Sequence, residues 1–371
     1  MKIVGVEAIP LEVPLNKVFS GSGYRVQSRN TVVTRIRTAD GLASAVYNGD
    51  NRAHGRQIAR IIEDELAPLI VGRDARQIER LWADMFRHSI PNRDRKLLME
   101  AIACVDTALW DLLGKSLGAP VATLLGGFRD RLPIIAIAAY YEDGKTLADL
   151  AREMRWLRDE AGMAGCKVKV GGLSAEEDAA RVAACREGAG PDFLLAVDAN
   201  RGWPVDEAVK FAGLVERYDI AWFEEPCHWY DEAAMMAEVR RRTSIPVNAG
   251  QSEVSSHGVR RLVAAGAVDL VNFDASEGGG PTEWRRAAAL CAVHGIRMAH
   301  HEEPQIATHL LAAVPHGTYV ECFPDPERDP LWARLIQNRA AIAGGMIEVP
   351  QGAGFGLELD WALVDKYRLD R

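Results

Sequence analysis

Two lysines one residue apart, Lys167 and Lys169, are the residues of this chain best placed to do chemistry as a pair. They lie in a short apolar run, and alternate side chains of a β-strand point to the same face, so both ammonium groups would project together. Neighbouring ammonium groups repel each other, and burying them requires anions nearby. Asp198 and Glu224, which end the next two apolar runs, could supply that charge. The alternative for the lysines alone is a solvated edge strand, and the two carboxylates argue against it.

Further polar side chains follow the later apolar runs, namely Gln251, Glu253, Asp274, His300, His301 and Glu321. In a barrel of parallel strands the carboxyl ends of the strands share one rim, where barrel enzymes hold their active sites. A single polar residue at such a rim is most often a helix cap or an ion-pair partner. So many polar groups converging on one rim would be unfavourable unless they hold something.

Carboxylate oxygens from successive strands suit a hard divalent cation, and Mg²⁺ fits best because it keeps open positions for substrate oxygens. Lys169, beside Lys167 and near such a cation, is predicted to have a depressed pKa and to act as a neutral base. His301 would lie across the barrel, where Asp274 from the adjacent strand could orient it. The sequence therefore predicts two proton-transfer groups that flank one metal ion.

The elements that would position these residues are eight short apolar runs that alternate with amphipathic helical stretches. The predicted strands cover residues 133–139, 166–170, 193–198, 220–224, 246–250, 269–273, 296–300 and 318–322. Eight strands with seven intervening helices fit a closed (β/α) barrel better than an open sheet. No GxGxxG fingerprint follows the first strand, which argues against a dinucleotide-binding sheet.

An α+β lobe precedes the barrel. Residues 2–13, 31–38 and 43–48 read as strands, and residues 52–69, 75–88 and 94–117 as helices. The polar, glycine-rich residues 19–25 are predicted to form a loop, either a mobile linker or a functional lid. We predict a capping domain over residues 1–127, a barrel domain over 128–340, and a C-terminal segment, 341–371, that packs back on the capping domain.

Composition excludes several classes of protein. The 371 residues carry a net charge of -8, which gives no broad attraction to nucleic acid or to anionic membranes. Six scattered cysteines lack the spacing of a zinc site, so we expect reduced thiols in a cytoplasmic protein. The N-terminus has no signal-peptide layout, and no apolar run is long enough to span a bilayer.

Several segments together carry a resemblance to a known family. They are Asp106-Thr107-Ala108-Leu109-Trp110-Asp111, Leu124-Leu125-Gly126-Gly127, Lys167-Val168-Lys169, Asp198-Ala199-Asn200, Glu224-Glu225-Pro226, Asp274 before Gly278-Gly279, and His301. In this order and spacing the chain resembles the enolase superfamily, mandelate racemase subgroup, over essentially its whole length. The resemblance implies an α/β fold in which an N-terminal α+β capping domain covers a modified (β/α)7β TIM-type barrel.

The resemblance also implies a chemistry: one Mg²⁺ and abstraction of the proton α to a carboxylate. By position, Asp198 and Glu224 would be metal ligands, and Lys169 would be one base. His301 with Asp274 would be the other base, and Glu321 would hydrogen-bond the enediolate.

The third metal ligand departs from the pattern of the family. The resemblance implies a glutamate after a glycine on the fifth barrel strand, yet Gly250 is followed by Gln251. Glu253 lies two residues on and shares the face of Gln251 if the strand continues. We predict that one of the two completes the metal site, Gln251 being favoured by register and Glu253 by charge.

Two other assignments stay open at this point. His300 and His301 would face opposite ways, and alignment with the later Thr308-His309-Leu310-Leu311 favours His301 for the pocket. His300 would then be a packed or substrate-edge histidine. The aromatic residues near the proposed mouth are either surface residues or substrate contacts: Tyr24, Trp203, His228 and Trp229.

The reaction depends on the fate of the enediolate. Return of the proton on the opposite face makes a racemase or epimerase, whereas protonation and loss of a β-hydroxyl makes a dehydratase that forms a 2-keto-3-deoxy acid. We favour dehydration of an acid sugar, an aldonate or aldarate, because the residues near His301 are polar. A non-catalytic sugar-acid binding protein is the alternative of another class, with Gln251 as a first sign of decay. A homo-oligomer is expected from the apolar helices of the capping lobe.

Overall fold

The computed structural model describes residues 1–50, 52–91, 94–228 and 231–369. Within these ranges the chain forms an α+β capping domain and an α/β barrel, the architecture that the sequence predicted. Trp229, one of the aromatic residues expected near the mouth, lies outside the described residues.

The capping sheet has three antiparallel strands in the order β1 (Ile3–Ser20), β2 (Arg25–Thr38) and β3 (Ala43–Asn48). The ladder between β1 and β2 runs on to Ser20↔Arg25, so the loop predicted over residues 19–25 is confined to residues 21–24. The two strands instead form a long hairpin with a short tip, which the Gly21 N–H closes by donating to the Tyr24 carbonyl. The tip reaches the barrel, where Ser22 Oγ donates to the Ala199 carbonyl at 2.8 Å.

Five helices complete the capping domain: α1 (Gly55–Arg60), α2 (Ala67–Ile70), α3 (Ile78–Arg87), α4 (Arg95–Leu117) and α5 (Val121–Leu124). A π-helical stretch, Ile61–Leu66, joins α1 to α2. The long helix α4 is capped by Asp94, whose side chain accepts from the Leu97 N–H, and it ends at the left-handed Gly118. It is buried on most sides, as its apolar sequence predicted.

The barrel is built from eight parallel strands: β4 (Arg131–Ala138), β5 (Gly165–Lys169), β6 (Leu194–Asp198), β7 (Ile220–Glu224), β8 (Val247–Ala249), β9 (Leu270–Val271), β10 (Arg297–Met298) and β11 (Val320–Cys322). Strands β4 to β9 each pair with the next along the chain, and β11 pairs with β4. A parallel bridge between Met298 and Gly317 closes the ring.

Seven helices connect these strands: α6 (Leu147–Asp159), α7 (Ala175–Ala189), α8 (Val205–Val215), α9 (Glu232–Arg242), α10 (Ser256–Ala264), α11 (Pro281–Val293) and α12 (Pro304–Ala312). Capping boxes at Thr146 and Ser174 start α6 and α7. The described elements therefore give a (β/α)7β barrel, which confirms the predicted fold class.

The strand register matters most for function. Lys169 pairs with Asp198, and Asp198 pairs with Glu224, so the ends of β5, β6 and β7 lie at one level. Parallel pairing brings side chains at paired positions to the same face of the sheet. The register therefore brings the side chains of Lys169, Asp198 and Glu224 together at the carboxyl ends of β5, β6 and β7.

The C-terminal part consists of α13 (Pro330–Arg334), β12 (Ile342–Ala343), β13 (Met346–Glu348) and α14 (Trp361–Tyr367). Strand β13 pairs antiparallel with β4 of the barrel. The Leu369 N–H after α14 donates to the Pro10 carbonyl of β1, so this segment contacts the capping sheet. Among the described residues, no helix combines the length and the apolar character that crossing a bilayer requires.

The acidic residues of α4 connect it to the rest of the molecule. Asp106 accepts hydrogen bonds from the N–H and Oγ1 of Thr282 at the start of α11, both at 2.8 Å. Gly280, with a φ of 91°, lies so close to Asp106 that a Cβ atom would meet its carboxylate. Asp111 accepts from the Phe355 N–H at 2.9 Å. These two aspartates therefore hold the capping helix against the barrel and the C-terminal segment.

Candidate active site

The paired lysines lie in the barrel interior with three carboxylates, and we call these five side chains the floor: Lys167, Lys169, Asp198, Glu224 and Glu321. Lys167 Nζ contacts Glu224 Oε1 at 2.5 Å and Glu321 Oε1 at 2.7 Å, and lies 4.0 Å from Asp198 Oδ2. Lys169 Nζ contacts Asp198 Oδ2 at 2.7 Å. All five side chains are buried, and β5 is an interior strand, so a solvated edge strand is excluded.

Two ammonium groups thus face three carboxylates in a buried region. Burial raises the pKa of Glu224 to about 8, because Asp198 and Glu321 add to the effect of desolvation and Lys167 offsets only part of it. When all three carboxylates are ionised the floor carries one more negative than positive charge, so one further cation would be stabilised there and would favour the ionised form of Glu224.

The pKa of Lys169 is raised, so the predicted depression is wrong for this structure. Burial alone would lower this pKa, but the contact with the Asp198 carboxylate outweighs burial and holds the ammonium form. The prediction gave weight to the neighbouring Lys167, whereas the closer group is an anion.

The third ligand position separates Gln251 from Glu253. Strand β8 ends at Ala249, and the Glu253 N–H donates to the Gly250 carbonyl, so the chain turns before Glu253. Glu253 packs under Gly258, and its Oε2 pairs with Arg261 at 3.2 Å. The expectation that Gln251 and Glu253 share a strand face therefore fails, and only Gln251 reaches the cavity.

Gln251 presents a free acceptor. Its amide nitrogen donates to Glu225 Oε2 at 2.8 Å, which leaves Oε1 as the other polar end of the side chain. This oxygen is buried, and no described group donates a hydrogen bond to it. A buried acceptor without a donor is unfavourable unless a cation or a ligand completes it.

These residues fit a hard divalent cation in donor type and in charge. Carboxylates from Asp198 and Glu224, in register on neighbouring strands, and the orphaned oxygen of Gln251 are the oxygen donors that Mg²⁺ prefers. Across the described ranges, no three His, Cys, Asp or Glu side chains form a ready metal cluster. Two features explain why no such cluster is present: Lys167 contacts Glu224, and the third candidate ligand, Gln251, is an amide rather than a carboxylate.

His301 and Asp274 form the second half of the site. The His301 Nδ1–H donates to Asp274 Oδ2 at 2.9 Å, and His301 Nε2 lies 3.4 Å from Glu302 Oε1. Asp274 is itself held by the N–H and Oγ of Ser276. Burial alone would lower the pKa of His301, but Glu302 and Asp274 outweigh it and raise this pKa to about 9. His301 is therefore protonated at neutral pH.

His300 is turned away from the cavity. Its Nε2 accepts from the Ala275 N–H at 3.0 Å, and its Nδ1 donates to the His301 carbonyl at 2.8 Å. It is fully buried, and desolvation lowers its pKa. The backbone occupies both ring nitrogens, so His300 supports the turn that carries His301.

A cavity of about 330 Å³ lies between the capping domain and the strand ends. The barrel contributes Lys169, Asn200, Arg201, Gln251, Ser252, Asp274, Glu277, His301, Glu302 and Arg328, and the capping domain contributes Gly23, Tyr24, Asp50 and Lys96. Lys167, Asp198, Glu224 and Glu321 are buried and do not line it. The structure thus brings every predicted site residue except Glu253 to this cavity or its floor.

Two family models match the chain. The N-terminal domain of the mandelate racemase/muconate lactonizing enzymes matches residues 6–126, and the enolase C-terminal domain-like model matches residues 149–363. The chain belongs to the mandelate racemase/muconate lactonizing enzyme family. Its resemblance to this subgroup of the enolase superfamily is thereby confirmed.

Known members of the family are similar over nearly the whole chain. A solved mandelate racemase/muconate lactonizing enzyme from a marine actinobacterium, in complex with magnesium, is 44% identical with a TM-score of 0.92, covering 100% of this chain and 99% of that one. D-galactarolactone cycloisomerase of Agrobacterium fabrum is 31% identical over 100% of this chain and 99% of its own length. L-talarate/galactarate dehydratase of Salmonella typhimurium is 29% identical over 95% and 86%.

As in other barrel enzymes, the site of this family member depends on the turns that follow the strands. Six non-glycine residues just after strand ends have a positive φ: Ala139, Asn200, Arg201, Glu225, Glu302 and Glu303. Such conformations are uncommon for residues other than glycine and asparagine, and they persist where the surroundings fix them. The Asn200 N–H, for example, donates to Asp198 Oδ1 at 2.8 Å and so holds the carboxylate of the floor.

Sequence reasoning missed an ion cluster above the cavity, centred on Arg29 of β2. The Arg29 guanidinium contacts Asp50 and Glu302 at 2.9 Å each, Glu303 at 3.0 Å and Asp329 at 3.4 Å. Arg29 is almost fully buried, and these four carboxylates outweigh desolvation and hold its pKa high. Arg29 lies two residues before the predicted strand 31–38, among polar neighbours that carry no signal of this cluster.

Of the aromatic residues expected near the mouth, Tyr24 lines the cavity. Its ring lies 5.7 Å from Lys169 Nζ. Trp203 is buried against Phe211 and Phe223, and its indole N–H donates to the Leu173 carbonyl. Tyr24 is therefore a candidate substrate contact, and Trp203 is a core residue.

Proposed function

We propose that this protein is a magnesium-dependent enzyme that removes the proton α to the carboxylate of an acid sugar and then expels a β-hydroxyl as water. The product would be a 2-keto-3-deoxy acid. The observation that supports this most strongly is that two nitrogen groups, Lys169 and His301, line one cavity together with Gln251 and Asp274.

Asp198, Glu224 and Gln251 would hold the magnesium ion, as their donor atoms and charge suggest. When bound, Mg²⁺ supplies Lewis-acid stabilisation of the substrate carboxylate as negative charge develops on it. The α-proton of a carboxylate is too weakly acidic for a lysine or histidine to remove without such help.

The residues of the chain would then move the protons. Lys169 would act as the base at Cα in its neutral form, which requires Asp198 to give up the ammonium contact that raises the pKa of Lys169. Lys167 would stay charged between Glu224 and Glu321. Glu321, held in the floor by Lys167 and by the Glu302 N–H, would hydrogen-bond the enediolate from below the cavity. His301 enters the reaction protonated, because Glu302 and Asp274 raise its pKa to about 9. It is thus prepared to donate its proton to the departing hydroxyl.

The polar wall favours a polyhydroxylated substrate over an aryl or aliphatic acid. Asn200, Arg201, Ser252 and Glu302 offer donors and acceptors to hydroxyl groups. The dehydratases among the relatives act on sugar acids by name, which supports the same substrate class.

Isomerisation is the second candidate, since a cycloisomerase and racemases occur among the relatives. An isomerase would also begin with proton transfer at Cα, but it would form no keto acid. We also propose that the protein acts as a homo-oligomer in the cytoplasm, as its sequence led us to expect.

The test is a screen of aldonates and aldarates with Mg²⁺ in D₂O. Keto acid detected by semicarbazide, together with deuterium at Cα and loss of both signals in EDTA, is the expected result. Deuterium exchange without keto acid would favour the isomerase. Absence of exchange with every substrate that binds would support a binding protein and end the proposal.

A further inference from the structure

Arg328 is a buried arginine in the wall of the active-site cavity. It follows β11 and is only 4% exposed. Its guanidinium stacks on the Phe323 ring, with 3.9 Å between Cζ and the ring centroid, and lies 5.3 Å from the Tyr140 centroid. Nη2 donates to the Tyr140 hydroxyl at 3.3 Å. Aromatic packing therefore fixes the position of this cation.

No carboxylate balances Arg328 within the described part of the chain. None lies within 4.0 Å of its guanidinium, and both Nε and Nη1 are buried without an acceptor. A guanidinium prefers two acceptors in a plane, as a carboxylate offers them. Burying one unpaired is unfavourable unless a ligand supplies the anion.

The other cations of the cavity wall each have a partner. Lys96 contacts Glu277 at 2.5 Å, Lys169 contacts Asp198, and Arg201 Nε lies 3.3 Å from Glu225. The acids nearest to Arg328 on this wall are also engaged, because Arg29 holds both Asp50 and Glu302. Arg328 is thus the cation of this wall for which the described residues provide no ion-pair partner.

Arg328 also lies near the reacting groups. Both cations lie near the Tyr140 ring, Arg328 Cζ at 5.3 Å and Lys169 Nζ at 5.8 Å from its centroid, and both line the same cavity. One substrate could therefore present its reacting end to Lys169 and a second anionic group to Arg328.

We propose that Arg328 binds the distal carboxylate of a dicarboxylic sugar acid and so selects aldarates over aldonates. The assignment rests on the proposed function for the reacting end, but the anion site itself is independent of the reaction. It makes Arg328 a specificity-determining residue at the end of the substrate that does not react.

The first test compares matched substrates on the wild-type enzyme with Mg²⁺: galactarate against galactonate, and glucarate against gluconate. We expect kcat/KM to be about 100-fold higher for the diacids. Equal values, or a preference for the monoacids, would overturn the proposal. A preference for 6-phosphogluconate over both would retain the anion site but overturn its assignment to a carboxylate.

The second test uses Arg328→Met and Arg328→Lys, with Arg334→Met as the control. Arg334 is an exposed arginine six residues away that pairs with Glu327. Arg328→Met should lose about 100-fold in kcat/KM for galactarate and less than about threefold for galactonate, and Arg328→Lys should recover part of the loss. Equal losses for the two substrates would indicate a structural role and contradict the proposal.

Calorimetric titration with galactarate and galactonate separates this proposal from the proposed reaction. If no substrate is turned over but galactarate binds and Arg328→Met abolishes that binding, the reaction is wrong and the anion site stands. If galactonate is dehydrated while galactarate neither binds nor reacts, the anion site alone is wrong.

Discussion

The floor and the roof of the cavity handle buried charge in different ways. In the floor, Lys169 contacts Asp198 on the neighbouring strand β6, and Lys167 contacts Glu224 on β7 and Glu321 on β11. All these partners lie on barrel strands, so the strand register places them. We call the ion cluster above the cavity, Arg29 with Asp50, Glu302, Glu303 and Asp329, the roof. There the Arg29 guanidinium contacts four carboxylates from the capping domain and from the segments that follow barrel strands. The floor is thus part of the barrel, whereas the roof exists only when the capping domain is seated. We infer that the floor fixes the chemistry and that the roof fixes access and specificity.

Replacing Lys169 by Met is expected to have the largest effect, because it removes the base from the floor. We expect kcat to fall by about 10⁴-fold while the far-ultraviolet circular dichroism stays unchanged. Lys210→Met is the matched control, since Lys210 is exposed and pairs with Glu176 on the barrel surface. A Lys169→Met enzyme that keeps a tenth of the wild-type kcat would contradict the claim that the floor supplies the base.

His301→Gln should separate the two halves of the reaction. Water elimination should fall by about 10³-fold because the general acid is lost, while Lys169 still exchanges the α-proton with D₂O. Proton NMR of the recovered substrate measures the exchange, and His54→Gln at an exposed position is the control. Loss of exchange together with elimination would contradict the assignment of the base to Lys169.

Arg29→Met should act on stability. It leaves several buried carboxylates without their cation, and breaking such a cluster destabilises a protein by about 3–5 kcal/mol. Urea unfolding measures this change in the free energy of unfolding. Arg35→Met, which removes a half-buried surface pair with Glu7, should change it by less than about 1 kcal/mol. Equal effects of the two variants would show that the roof does not depend on Arg29.

The smallest expected effect is a shift in the pH dependence of kcat, because Glu302 of the roof contributes to the pKa of His301. A general acid must be protonated, and the pKa of His301 is about 9, so deprotonation of His301 should lower kcat for elimination tenfold per pH unit above pH 9. Glu302→Gln removes the carboxylate that contributes most to raising this pKa, so the fall should begin at lower pH. An unchanged profile in Glu302→Gln would contradict this coupling.

The floor could be predicted from the sequence because it depends on local spacing. Alternation along β5 and the acids that end β6 and β7 suffice to bring Lys169, Asp198 and Glu224 together. The error at Glu253 has a simple cause, since its placement assumed that β8 continues past Ala249. The raised pKa of Lys169 depends on which charged neighbour is closer, and spacing does not give distances.

The roof could not be predicted for a different reason. Arg29 and Glu302 are 273 residues apart in the sequence. Arg328 stands out only because two of its buried nitrogens lack an acceptor among the described residues, and a sequence does not show this. The loop predicted over residues 19–25 was too long because glycine and serine usually indicate loops. In the structure the pairing of β1 with β2 continues to Ser20 and Arg25, next to the tip of the hairpin. Contacts between domains leave no periodic pattern in a single sequence.

The most direct measurement of the central claim is anomalous diffraction from crystals soaked in Mn²⁺ as a substitute for Mg²⁺. We predict one strong peak in the floor, with oxygens of Asp198, Glu224 and Gln251 bound to it and with Lys169 and His301 facing the same cavity. A peak beside Glu253, or a floor in which Lys167 still occupies Glu224 and no metal binds, would contradict this claim.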